Sequence, residues 1–281
     1  DLSFKPKEYN TEYQRASTPK ETMFYGCVLP EEEGNEINYL PITTIMEASN
    51  LIRKDEKGIE KVTLSKWIIQ EEINLCAIIH HKEFRKNSNH LKRIYNKFLA
   101  MLSQKKQHKK NTILVTDFLS NEFAKPNINH HTDYKISALF TEIATNRGYD
   151  GVYFPSVRTD GQGFNVAITP EVVNKKLNLV YAGECTIYKG DKEVFVNNDT
   201  ETFIAEGQTT FEFTEIPIGQ KRIERSEAIK NLMPKGSTQI IPMPNTSLGI
   251  VGYFYLGLFC IMLALLFHCS SRALIALPSN R

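Results

Sequence analysis

The stretch GVYFPSVRTDGQGFNVAI, residues 151–168, constrains the fold more than any other part of the chain. Its first apolar run packs Tyr153 and Phe154 against Pro155, and its second runs from Phe164 to Ile168. Both read as strands. A plain hairpin needs only a turn, yet this connection presents Ser156 and Arg158 where the first strand runs out, then Gly161 and Gly163. The aromatics and proline anchor the strand in a sheet, and the strand end offers a hydroxyl and a guanidinium to a cleft. The two glycines are expected to turn the backbone through positive φ and to let a ligand approach closely.

The segment before it, DYKISALFTEIATNRGYDG, places Ile136, Leu139, Phe140 and Ile143 on one helical face, and Gly148 stops the helix. Upstream, TMFYGCV (22–28) reads as a strand and TTIMEASNLIR (43–53) as a helix. KVTLSKWIIQ and INLCAIIHH, within 61–81, read as consecutive strands. Leu91, Ile94, Tyr95, Phe98, Leu99 and Leu102 repeat at threes and fours and predict an amphipathic helix. NTILVTDFL (111–119) predicts a strand leading into a short helix, while LNLVYAGECTIY (177–188) and TTFEFTE (209–215) predict further strands. Helices and strands mix without regular βαβ alternation, so the fold class is α+β.

Several chemistries fall away. The half-fingerprint at Gly161 and Gly163 lies between two strands with no helix N-terminus to hold a pyrophosphate, which argues against a dinucleotide-binding βαβ unit. The five cysteines, Cys27, Cys76, Cys185, Cys260 and Cys269, never reach C-x-x-C spacing, and this suits a reducing compartment. The pairs His80–His81 and His130–His131 are adjacent residues that point apart on a strand, so no metal site is expected. Residues 82–110 hold ten Lys/Arg against one acid, Glu83. Their aromatics, Tyr95 and Phe98, fall on the apolar face of the helix rather than between the charges. A solvated helix face is favoured over a nucleic-acid site.

The composition changes near the C-terminus. No residue from Gly236 to Ser271 is charged, and Leu248–Phe267 gives 20 consecutive residues without a strongly polar side chain. At helical rise that length spans roughly 30 Å, the thickness of a bilayer's hydrocarbon. The expectation is one C-terminal transmembrane helix with the rest of the chain facing the cytoplasm, preceded by a terminal strand and linker over 201–247. The chain begins at Asp1 with no visible signal peptide, and an N-terminal segment upstream is expected.

Five scattered residues carry the most specific signal. Arg15 lies just ahead of TMFYG, with Tyr25 ten residues on; Glu47 sits within TIMEASNL; Ser156 and Arg158 belong to VYFPSVR. In this order they resemble the RES domain family, named for its Arg, Glu and Ser. The likeness covers roughly residues 8–190, within an expected catalytic domain over 1–200. The segment LPEEEGNEINYLP (29–41) looks inserted between strand and helix, which leaves Glu31, Glu32 and Glu33 as alternatives to Glu47.

The resemblance implies an ADP-ribosyltransferase-like fold, a mixed or split β-sheet with flanking helices. It also implies an NAD⁺-degrading enzyme that cleaves the nicotinamide–ribose bond by phosphorolysis or hydrolysis, often as a bacterial toxin paired with an antitoxin. NAD⁺ would be the substrate, with inorganic phosphate as a co-substrate and no resident cofactor or metal. Glu47, Ser156, Arg15 and Tyr25 would form the catalytic set, and Arg15, Tyr25, Ser156 and Arg158 would hold NAD⁺. A carboxylate near the ribose suits the positive charge that develops there, and guanidinium groups suit a pyrophosphate. The alternatives are ADP-ribosyl transfer to a macromolecule, or a non-enzymatic membrane-tethered binding module.

Overall fold

An apolar strand buried on both faces has to lie inside a sheet, and two strands here are buried at every position: β4 (Gly151–Pro155) and β5 (Phe164–Ile168). A computed structural model describes residues 2–28, 39–54, 56–103, 109–191, 193–208, 210–216 and 254–257. It divides into two compact units, neither of them a continuous stretch of chain.

One unit comprises Lys5–Glu32, Ile73–Pro170 and Phe254–Arg281. Its sheet has the order β1-β5-β4-β3-β9, with β1 at Phe24–Val28, β3 at Ile73–Ala77 and β9 at Phe254–Gly257. β5 is antiparallel to both β1 and β4, whereas β3 is parallel to β4 and to β9. Helices cover both faces. On one, Leu119 and Phe123 of α5 (Lys109–Phe123) and Phe140 and Ala144 of α6 (Lys135–Asn146) pack with Val152, Phe154 and Ala167. On the other, α4 (Asn89–Ser103) brings His90 Nε2 to 3.1 Å from the Tyr153 hydroxyl, and Tyr153 stacks on Phe164 with centroids 5.1 Å apart. The short α3 (Lys82–Asn87) links β3 to α4.

The second unit comprises Asp1–Phe4, Glu33–Glu72 and Glu171–Tyr253. Its helices are α1 (Tyr39–Ala48), α2 (Asn50–Arg53) and α7 (Pro170–Lys176, of which Glu171 onward belongs to this unit). Its sheet is antiparallel in the order β2-β6-β7-β8, spanning Gly58–Ile69, Leu177–Lys189, Val194–Phe203 and Thr214–Glu215. Ile45, Leu64, Cys185, Ile187 and Val196 form its core, with Leu51 and Ile52 packed against it. β2 and β6 pair from Gly58↔Lys189 to Ile69↔Leu177, and Gln70 N continues the ladder to the Lys176 carbonyl at 2.7 Å. The excursion between them is closed at Asp150: its carboxylate accepts from Asn74 N (2.9 Å), its N–H donates to the Asn74 carbonyl (2.8 Å), and its carbonyl accepts from Thr169 N (3.0 Å).

The α+β class holds, and most expected elements are present. Some differ. Residues 111–119 are helical throughout as part of α5, with no strand. Thr112, Val115, Leu119 and Phe123 face inward at helical spacing, and that burial outweighs the β-branched run. α6 buries Ser137, Ala138, Phe140, Thr141 and Ala144, so the expected face is turned: Ile136 and Leu139 are exposed and Ile143 is half-buried. Gly148 does stop α6, at φ +93°. The 43–53 helix is broken at Ser49, which caps α2 by accepting from Ile52 N. β2 and β3 follow each other in sequence but belong to different sheets. Of the expected 209–215 strand only Thr214–Glu215 is a strand among the described residues, and Phe211 and Phe213 ahead of it pack edge-on against each other.

The expected membrane helix lies outside the described residues except for Phe254–Gly257. There the structure has the strand β9 instead of a helix, taking up the open edge of β3. Among the described residues no helix is long and apolar enough to cross a membrane. The expected linker after Ile216, and Glu31–Glu33, also lie outside the described residues.

Candidate functional site

Arg15 and Tyr25 come together ahead of and upon the edge strand β1. Tyr25 is 40% exposed at its ring, but its hydroxyl is tucked under the turn at 14–17. That hydroxyl accepts from Ala16 N at 3.0 Å and shares a hydrogen bond with Ser17 Oγ at 2.9 Å. Burial of the oxygen pushes the phenol up to about 12, despite the hydrogen bonds and the Arg15 charge, which pull it down. Arg15 donates to the carbonyls of Phe123 and Lys125, the latter at 3.2 Å, and lies 5.0 Å over the Tyr134 ring. Phe123 ends α5, so the guanidinium satisfies a carbonyl that a helix C-terminus leaves unpaired. Much of its hydrogen-bonding capacity is spent inside the fold.

Ser156 and Arg158 occupy the loop between β4 and β5, as the sequence suggests, but in opposite settings. Ser156 is 0% exposed, its backbone held by Gly163 and Gly161, whereas Arg158 stands in solvent. Gly161 turns through φ +79°; Gly163 does not adopt a positive φ and instead donates from its N–H to Thr159 Oγ1 at 2.8 Å. At Gly161 the loop presses on α3: a Cβ there would lie 2.4 Å from the Cβ of Phe84. The loop is therefore seated on a helix.

Strand register fixes how far apart these groups are. Tyr25 and Val152 both face Ala167, so Tyr25 lies two strands away and level with Val152. Ser156 is roughly 13 Å further along the strand direction and about 10 Å across. Arg15 and Tyr25 mark one end of the sheet and Ser156 with Arg158 the other.

No family model, curated protein or solved structure matches the chain.

Glu47 belongs to the second unit. It is half-buried on α1, and its carbonyl accepts from the Arg53 guanidinium. A more tightly held carboxylate in that unit escaped sequence reasoning: Glu60 on β2 accepts from Ser49 Oγ (2.5 Å), Asn50 N (3.1 Å) and Leu51 N (2.9 Å). Burial opposes its charge, but these donors and Arg53 outweigh it and hold the carboxyl below its usual range. The only cue was a Ser eleven residues ahead of an acid, which is too common to single out.

The histidines serve local structure. His81 caps α3 by accepting from Phe84 N at 3.4 Å, and His130 caps the 3-10 turn His131–Tyr134. His80 is buried between Tyr95 and Phe98. Among the described residues no three His, Cys, Asp or Glu groups converge in a way that could hold a metal ion.

Proposed function

We propose that this chain degrades NAD⁺ by cleaving the nicotinamide–ribose bond, with water or inorganic phosphate as the acceptor, on an ADP-ribosyltransferase-like fold. One observation supports the reading beyond the sequence resemblance. Its two motif segments, Arg15 with Tyr25 and Ser156 with Arg158, lie far apart in the chain yet belong to one unit, on or beside β1 and β4, the two strands that flank β5. The separation along that sheet suits an extended dinucleotide better than a small substrate.

In this reaction the bond from ribose C1′ to the pyridinium nitrogen breaks heterolytically, and its electron pair neutralises the departing nicotinamide. Positive charge collects on C1′ and the ring oxygen. An oxygen of water or phosphate then bonds to C1′; with water a proton is lost to solvent. Arg158, free in solvent, is suited to bind pyrophosphate, and Ser156 offers a hydroxyl at the strand end. The reading gives the charge-stabilising carboxylate to Glu47, and that part is tested separately by Glu47→Gln.

The full chain should release nicotinamide from NAD⁺, with and without phosphate and with candidate acceptor proteins present. Free ADP-ribose indicates hydrolysis, its 1″-phosphate indicates phosphorolysis, and a modified acceptor indicates transfer. NAD⁺ that stays intact under all three conditions overturns the proposal.

A further inference from the structure

The parallel pair β3–β4 ends in a polar cluster that the resemblance does not assign. Ala77 lies opposite Tyr153, and Ile78 N extends the ladder to the Tyr153 carbonyl at 2.8 Å. Counting on from that register sets His80 level with Ser156, where both strands have ended. The carboxyl ends of parallel strands are where such sheets hold ligands.

His80 is 4% exposed, with Tyr95 and Phe98 edge-on to its ring at 5.3 and 4.3 Å. Its backbone N–H donates to Ser120 Oγ of α5 at 2.9 Å, which ties it to the helix that carries Asp117. The Arg85 guanidinium lies 3.6 Å over the Tyr95 ring and its charge acts on both His80 and Asp117. Three buried atoms in this cluster, His80 Nε2, Arg85 Nε and Asp117 Oδ1, have no hydrogen-bond partner among the described residues. Native folds leave few such atoms unpaired, and a group of them calls for a specific explanation. Arg85 and Asp117 are only half-buried as residues, so the cluster reaches the surface.

We propose that His80, Arg85 and Asp117 form a binding subsite for a neutral, planar primary carboxamide at the carboxyl ends of β3 and β4. The donor and acceptor set selects that chemistry. Arg85 Nε–H requires an acceptor and Asp117 Oδ1 requires a donor, and a primary amide carries both in one plane. A phosphate or carboxylate would set acceptor oxygens against Asp117, and a cation would face Arg85. His80 is compatible with either amide atom: burial, reinforced by the Arg85 charge, pushes it down to about 3, so it is neutral and its Nε2 donates or accepts according to tautomer. Burial raises the Asp117 carboxyl while Arg85 opposes the rise. Resting on the NAD⁺ reading, the amide is nicotinamide.

Calorimetric titration of the full chain with nicotinamide and benzamide, and with the acids nicotinate and benzoate, tests this without any substitution. The amides should bind, and the acids at least about tenfold more weakly, as expected when a charged hydrogen-bond partner meets the wrong group. Arg85→Ala and Asp117→Ala, checked by circular dichroism for an intact fold, should each weaken nicotinamide by about tenfold or more. Equal affinity for amides and acids, no binding of either amide, or nicotinamide binding unchanged in both folded variants overturns the subsite. Nicotinamide binding without NAD⁺ turnover supports the subsite and counts against the proposed activity; turnover without nicotinamide binding does the reverse.

Discussion

Tyr25→Phe removes one oxygen and leaves the ring, so it isolates what that hydroxyl holds. The Ala16 N–H and the Ser17 hydroxyl lose their partner under the 14–17 turn. The variant should lose about 1–2 kcal/mol in urea unfolding. Arg15→Ala removes the donors to the end of α5, so any loss of NAD⁺ cleavage in that variant has to be read beside its stability. Ser156→Ala is the cleaner probe of chemistry, and it should lower kcat at least about tenfold with the fold retained. At His80 the folded chain holds the imidazole near 3, while the unfolded chain titrates near its ordinary value of 6.5. Between those values the unfolded state binds the extra proton, so this group's contribution is present above pH 6.5 and is lost as pH falls towards 3. Urea unfolding at pH 7 and pH 5 should show wild type losing about 2 kcal/mol more than His80→Phe over that step. Equal losses would mean that His80 titrates normally.

Among the elements, the loop between β4 and β5 and the helix α3 depend on each other through Gly161. Its φ of +79° disfavours any side chain, and a Cβ would strike Phe84. Gly161→Ala should cost more than about 2 kcal/mol. The nearest clash is with the Phe84 Cβ, which alanine keeps, so adding Phe84→Ala should not restore the loss, and thermal unfolding of both variants will show this. The sequence made this loop legible because Pro155, Gly161 and two apolar runs bracket it. It concealed α5, where Thr112, Ile113, Val115 and Thr116 favour a strand locally and only packing on the sheet decides for helix. It also concealed β7, whose segment NNDT resembles a turn. In the fold Asn197 donates to Asp199 at 2.9 Å and Asp199 accepts from Thr186 Oγ1, so polar side chains pair where apolar ones were sought. The site residues were readable as positions on a strand or helix, but not their exposure: Ser156 is buried and Arg15 is bound within the fold.

For the whole molecule, reading the chain from end to end suggested one catalytic stretch over 1–200, whereas its compact units are each assembled from separated segments. No local pattern announces this, because the pairing of β2 with β6 joins residues more than a hundred positions apart. That pairing has the geometry of a hairpin: Gln70 reaches Lys176 directly, and everything between them occupies the place of a turn. Residues 39–70 joined to 176–216 through Asn-Gly should therefore retain the antiparallel sheet. Trp67, the only tryptophan, lies in β2 with Nε1 donating to Ser65 Oγ at 2.9 Å, and its fluorescence should report a cooperative urea transition. Emission of a fully solvated indole at zero denaturant would show that the sheet requires the excursion. The tie at Asp150 means that one residue gathers both ends of the intervening segment: Asn74 near its start and Thr169 near its end bond to the same side chain and peptide groups, so the chain departs and returns at one point.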